Sequence, residues 1–307
     1  MDSAYDVIII GGGPAGLTAG IYTGRAKLRT LLIEKGSFGG EITNAELVEN
    51  YPGFTDGISG AELGAMMATQ AMNYGVEIRL AEVRGVNAEG KQVVVTTSDG
   101  DFTARALIIA SGAEPLRLDV PGENRFAGSD VSYCAMCDAP RFKDRVVAVA
   151  GGGDAGITEA LHLAKFASKV TVIEIMPHLN ATMVLQERAN AEPKIDFLCG
   201  TKIESIEGEE RLSAIKIQDA KTGQTSDLEV SGLLIRIGVR PNTEYLKGVV
   251  PLDEMNQVIV NDRMETEVPG IFAAGDIRHD SARQVITAAG DGAMAAISAE
   301  KFLSNQG

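Results

Sequence analysis

The chain has 307 residues, enough for about two domains of ~150 residues that each bury a core. Its 28 Lys and Arg against 42 Asp and Glu leave a net charge of −14, which disfavours nucleic acid and anionic membranes as partners. The acidic start Met1-Asp2-Ser3-Ala4-Tyr5-Asp6 is unlike an export signal, no apolar run approaches the ~18 residues that cross a bilayer, and three cysteines make no secreted disulfide framework, so the expected compartment is the cytoplasm.

The 35 glycines exceed average usage of about 7% and ask for a backbone reason. Tyr5 to Ile10 reads as an apolar strand, Gly11-Gly12-Gly13-Pro14-Ala15-Gly16 as a turn, and the stretch to Ala26 as a helix. Arg29 to Glu34 is a second strand that ends on a carboxylate. The pattern recurs 140 positions later: Arg145 to Ala150 as strand, Gly151-Gly152-Gly153-Asp154-Ala155-Gly156 as turn, Ile157 to Ala167 as helix, Val170 to Glu174 as strand. Glu34 and Glu174 each stand 23 positions after the first glycine of their turn.

A lone glycine turn is weak evidence, whereas strand, turn, helix and a spaced acid together form a dinucleotide-binding fingerprint. The first glycine makes the tight turn, the second lets backbone N–H groups approach a pyrophosphate, and the third lets helix and strand pack closely. The helix N-terminus then offers unpaired donors to the anion, and Glu34 and Glu174 would accept ribose hydroxyls. Two such units imply two dinucleotides, naturally a flavin and a nicotinamide. Gly270 to Asp276 is a further strand-like run ending in Gly275-Asp276, suited to the ribityl or pyrophosphate side of a flavin, though Gly-Asp also makes ordinary turns.

Between the two units lies Cys134-Ala-Met-Cys137-Asp138. On a helix the two cysteines share a face and can close a disulfide; reduced, they can serve as nucleophile and resolving thiol, with Asp138 accepting or returning the proton. Other readings of this motif are a structural CxxC or a zinc site, for which Cys199, His162, His178 and His279 are scattered and form no second pair, and Asp138 can be a solvated turn residue. Cys199 itself, in an apolar run, reads as a small core residue.

These motifs, with Glu49-Asn50-Tyr51-Pro52-Gly53-Phe54, Gly238-Val-Arg-Pro241-Asn242-Thr243 and Arg283-Gln284-Val-Ile-Thr-Ala-Ala-Gly290-Asp-Gly292, resemble low-molecular-weight thioredoxin reductase in order across essentially the whole chain. The resemblance implies an α/β fold of two Rossmann-like three-layer domains, the second inserted in the first: an FAD domain over residues 1–113 and 246–307, and a nicotinamide-type domain over 114–245 that carries the CxxC. It implies a homodimer, and a rotation of one domain that presents the dithiol alternately to flavin and to a thioredoxin-like protein. Carried over by position, FAD would lie on Gly11, Gly13, Pro14, Ala15, Gly16, Glu34, Gly40, Glu41, Asn50, Gly275, Asp276, Arg283 and Gln284, and the nicotinamide cofactor on Gly151, Gly153, Asp154, Ala155, Gly156 and Glu174. Glu41 departs from the family's usual Gln or Arg, and a carboxylate is a poor neighbour for the flavin's oxygens.

NADPH-using relatives carry a His-Arg-Arg cluster directly after the second strand, where this chain has Glu174-Ile175-Met176-Pro177-His178. Like charges about 4 Å apart cost roughly 1 kcal/mol in water and about 4 kcal/mol at an effective dielectric of 20, so Glu174 should reject the 2′-phosphate. The stretch from Val170 to Gln186 is similar to the NADH-preferring flavoprotein subunit of alkyl hydroperoxide reductase; that relative's N-terminal thioredoxin-like module is not expected here, so the electrons are expected to leave on a separate partner. NADH is the favoured donor and NADPH the disfavoured one; ferredoxin or a reduced deazaflavin is the rival. The expected activity passes electrons from the donor through FAD and the Cys134–Cys137 dithiol to thioredoxin or a similar small protein. A dithiol oxidase with reversed flow and a non-enzymatic, redox-responsive flavoprotein are the alternatives.

Overall fold

The computed structural model describes residues 5–45, 47–90 and 92–306, with the side chains of Glu89, Met136 and Cys137 outside that set. The chain divides into two compact units, Met1–Glu114 with Pro241–Gly307, and Pro115–Arg240.

The first unit starts with strand β1 (Tyr5–Ile10), helix α1 (Pro14–Arg25) and strand β2 (Thr30–Glu34). Helix α2 (Gly60–Asn73), capped by the Ser59 side chain accepting the Glu62 N–H at 3.2 Å, leads to β3 (Glu77–Leu80). An antiparallel meander of β4 (Val83–Glu89), β5 (Gln92–Thr97) and β6 (Gly100–Ile109) follows. A short strand β7 (Ala113–Pro115) then leaves the unit.

The second unit runs through α3 (Glu123–Phe126), β8 (Val131–Ser132) and α4 (Ala135–Asp138) into its own strand, turn and helix, β9 (Val146–Ala150) and α5 (Asp154–Ala164). There follow β10 (Lys169–Glu174), α6 (Met183–Ala191), β11 (Ile195–Cys199), an antiparallel meander of β12 (Thr201–Gly208), β13 (Leu212–Asp219) and β14 (Thr225–Glu229), and β15 (Gly232–Ile235). Strand β16 (Val239–Pro241) pairs with β7 as a two-stranded ribbon. The chain then completes the first unit with β17 (Ile271–Ala273) and α7 (Val285–Ser304).

Both main sheets are Rossmann-like. In the first, the order β3-β2-β1-β6 is parallel; β6 pairs with β5 through its first half and with β17 through its second. The second is parallel throughout, in the order β11-β10-β9-β15-β8. Parallel strands buried on both faces need continuous apolar runs, which is why Val7 to Ile9 and Val147 to Val149 are almost wholly shielded from solvent. Alternate residues of β1 serve opposite cores, Val7 and Ile9 on one face and Ile8 and Ile10 on the other.

Helix α7 packs on α1 with backbone nearly touching: a Cβ at Gly292 would lie 2.0 Å from the Ala15 carbonyl oxygen. Residues 241–245 are held in the first unit by Ser111, whose O accepts from Asn242 Nδ2 at 2.9 Å and whose hydroxyl lies 2.7 Å from the Tyr245 hydroxyl. In the second unit, fully buried Asp130 ties three segments together through Arg145 at 2.9 Å, Arg211 at 2.7 Å and the Leu212 N–H at 3.0 Å. The Arg211 hydrogen bond is the main reason its carboxyl is pulled down to about 2. No helix among the described residues is long and apolar enough to cross a membrane.

Candidate functional site

The first glycine turn is shaped by its neighbours. Gly11 has φ +108°, and a Cβ there would lie 2.2 Å from the Ala110 carbonyl oxygen; one at Gly16 would lie 1.9 Å from the Gly11 carbonyl oxygen. Gly13 caps α1 without a side-chain acceptor, Pro14 opens the helix, and no acid stands in its first turn, so the free N–H groups there are available to an anion such as a pyrophosphate. Glu34 accepts the Gly12 N–H at 2.6 Å and the Gly36 N–H at 2.7 Å, so its carboxylate fastens the turn to the end of β2.

Two glycines distant in sequence lie against this turn, and the other expected flavin residues make contacts of their own. Gly40 sits against Gly13, where an added Cβ would meet its Cα at 3.2 Å. A Cβ on Gly275, which has φ +80°, would lie 2.9 Å from the Ala15 Cβ. Asn50 Nδ2 donates to Gln284 Oε1 at 3.0 Å. Asp276 accepts from Ser281 at 3.1 Å, and burial pushes its carboxyl above the ordinary range. Arg278 grips Asp291 with two hydrogen bonds, at 2.7 and 3.0 Å, and the same carboxylate takes the Gly275 N–H at 3.1 Å. Arg283 is exposed with φ +55°, and Glu41 is exposed in a short 3₁₀ turn, accepting from Asn44 at 3.2 Å.

The second turn repeats this design. A Cβ at Gly151 would lie 2.1 Å from the Arg236 carbonyl oxygen and one at Gly156 2.0 Å from the Gly151 carbonyl oxygen. Helix α5 starts at Asp154, three residues before the expected start, because Gly153 already acts as its N-cap, and it ends at Ala164, three residues before the expected end, with Lys165 as its C-cap. Buried Glu174 accepts the Gly152 N–H at 2.6 Å and the Met176 N–H at 2.9 Å. Asp154 differs from its counterpart Pro14: its carboxylate takes the Thr182 N–H at 2.6 Å, which anchors the loop after β10. Ile175 and Met176 are exposed beyond Glu174. Cys199 lies beside Glu174 in the sheet register, is a free thiol, and is raised above its ordinary range first by burial and then by that carboxylate.

Cys134 is disulfide-bonded and precedes the single helical turn Ala135–Asp138; the Cys137 side chain lies outside the described residues. Ser132 accepts the Cys134 N–H at 3.1 Å, and its hydroxyl donates to Asp138 Oδ2 at 2.7 Å. Arg141 pairs with Asp138 Oδ1 at 3.2 Å. On the other side, Tyr133 donates its hydroxyl to buried Glu123, which also takes the Asp119 N–H at 2.7 Å and the Arg117 guanidinium at 3.3 Å. Burial, then the Glu123 bond, drive the Tyr133 phenol upward. The Ala135 N–H goes to Glu159 Oε2 at 2.9 Å, and Arg236 pairs with the other carboxylate oxygen.

The sequence reading does not single out Ser132, Arg141, Glu123, Glu159 or Arg236. One of them carries a signal of a kind: Arg236 directly follows the apolar run Gly232–Ile235, whereas the burial of Glu159 in α5 shows only in the fold.

The pyridine nucleotide-disulphide oxidoreductase family model matches residues 5–292. The chain is 43% identical over 305 residues to the thioredoxin reductase of Mycolicibacterium smegmatis, covering 99% of this chain and 98% of that one. It is 43% identical over 304 residues to the thioredoxin reductase of Bacillus subtilis, covering 98% and 96% of the two. The crystal structure of Lactococcus lactis thioredoxin reductase superposes with a TM-score of 0.96 at 39% identity, over 98% of this chain and 99% of that one.

Proposed function

Because the chain belongs to the pyridine nucleotide-disulphide oxidoreductases, in their thioredoxin reductase branch of FAD-dependent enzymes, we propose that Cys134 and Cys137 form its redox couple and NADH its preferred electron source. The observation that carries the donor preference is Glu174, whose buried carboxylate stands at the second turn where a nucleotide's ribose would lie, followed by exposed Ile175 and Met176 rather than cations. A 2′-phosphate would meet a negative charge, and the two side chains that follow Glu174 bring no guanidinium to neutralise it.

FAD would be held by the donors at the start of α1, by Glu34 and by the group around Asn50, Asp276 and Gln284; when bound it supplies the two-electron redox chemistry between donor and disulfide. The roles of the chain's own residues follow from their surroundings. Reduced Cys134 and Cys137 exchange with a disulfide of a thioredoxin-like protein: a thiolate attacks one sulfur, the mixed disulfide forms, and the second thiol resolves it. Asp138, oriented by Ser132 and Arg141, returns a proton to the departing thiolate. The working unit in this reading is a cytoplasmic homodimer.

A second reading, a donor such as reduced ferredoxin or a reduced deazaflavin, draws on the same exposed Ile175 and Met176, since a nicotinamide site no longer in use has no need of phosphate-binding cations. Anaerobic mixing of the FAD-loaded protein with NADH, NADPH and reduced ferredoxin in turn separates the readings. Flavin bleaching by NADH at the lowest concentration is the expected result, and bleaching by ferredoxin alone would replace it.

A further inference from the structure

Two charged side chains of the second unit have no part in that scheme. The side chains of Glu159 and Arg236 are each only 10% exposed. Arg236 is fixed at the end of β15, its N–H donating to the Ala150 carbonyl at 2.7 Å. The carboxylate of Glu159 divides its work: Oε1 faces the guanidinium and Oε2 accepts the Ala135 N–H, the amide next to Cys134 in the chain. A buried ion pair is costly to assemble, and this one, which joins α5 to the end of β15, also grips the backbone of the cysteine segment.

We propose that Glu159, paired with Arg236, is a positioning residue that sets the redox poise of the Cys134 disulfide. The inference rests on Cys134 and Cys137 being the couple. Reduction of that disulfide adds two electrons and two protons, breaks the S–S bond and leaves two thiols, one of which must shed its proton to attack a partner. An amide already given to Glu159 is lost to that thiolate as a donor, and the nearby carboxylate repels it. Both effects disfavour the reduced state and make the dithiol the stronger reductant. Arg236 moderates them by offsetting the charge on Glu159.

The test equilibrates FAD-loaded wild type and variants in dithiothreitol redox buffers, alkylates free thiols after acid quench, and weighs the peptide containing residues 134–137. Glu159→Gln, which keeps an acceptor oxygen but no charge, should move the equilibrium toward the dithiol at least tenfold, or about 30 mV for a two-electron couple. Arg236→Gln, which leaves the carboxylate without its cation, should move it toward the disulfide, while Arg236→Lys should stay within about threefold of wild type. A merely structural pair would lower thermal stability and leave the equilibrium in place, so no shift, or shifts of the same sign in Glu159→Gln and Arg236→Gln, overturns the proposal. Should Arg236→Gln not fold, the Glu159→Gln shift alone decides. A wild-type peptide that takes up no alkylating reagent in any buffer overturns the dithiol assignment itself, and this inference with it.

Discussion

Glu174 holds in the second unit the place that Glu34 holds in the first: each accepts the N–H of the middle glycine of its own turn at 2.6 Å and a second N–H two residues beyond itself. The acid of the fingerprint is therefore a strut of the turn before it is a ligand for ribose. This changes how donor preference should be tested.

Replacing Glu174 by Arg removes the acceptor of two backbone amides and should weaken NADH and NADPH alike. Arginines at exposed Ile175 and Met176 leave the turn intact. The double variant Ile175→Arg, Met176→Arg should raise kcat/KM for NADPH relative to NADH by more than tenfold. A ratio that does not move would place the ribose away from this strand end.

Cys137→Ser should leave FAD bound and reducible by the donor while thioredoxin reduction falls to background. Steady-state turnover beside stopped-flow bleaching of the flavin measures the two separately. Retained turnover would remove the couple from the reaction.

Asp138→Asn keeps the contact with Ser132 but has no proton to exchange. General acid–base catalysis is worth roughly 100-fold or more, so disulfide exchange should slow by about that factor. The rate of flavin reduction should stay as it is. Slowing of both steps alike would argue that the side chain holds the fold and moves no proton.

Asp130 predicts an acid limit to stability. Its carboxyl is depressed from 3.8 to about 2 in the folded state, so its contribution is complete above 3.8 and lost as pH falls through about 2. That contribution is about 2 kcal/mol by linkage. The thermal midpoint of Asp130→Asn should lie well below wild type at pH 6, with the gap closing as pH falls to 2. A gap independent of pH would mean that packing, not charge, is what Asp130 supplies.

Gly292→Ala should unfold or loosen the first unit and release FAD, because its methyl would meet the Ala15 carbonyl oxygen at 2.0 Å. Gly290→Ala, two positions earlier in the same helix with open space at its Cβ, should be neutral or raise stability by up to about 1 kcal/mol. Differential scanning fluorimetry and the flavin absorbance of the purified variants distinguish the pair.

The two nucleotide units were legible because everything they need is local. A strand, three glycines and a helix lie within about 20 residues, and Gly11 and Gly151 have φ +108° and +114°, which other residues rarely adopt. The surroundings of the cysteines were not legible for the opposite reason. Glu159 and Arg236 are 77 positions apart and meet only because β9 and β15 are neighbours in the sheet. Asp138 carries no mark in its own segment of the Ser132 contact that orients it. Element ends moved by one to three residues where caps decide them, as at Asp154, and Cys134 falls just before its helical turn instead of within it.

The contact of α7 with α1 also bears on how the polypeptide reaches its native state. Residues 115–240 supply every strand of their parallel sheet from one uninterrupted stretch, whereas the first sheet waits for β17 and its covering helix from the final 37 residues. On the ribosome the inserted half can therefore mature while the outer half is still missing a wall, and closure of the outer half is a late, long-range event.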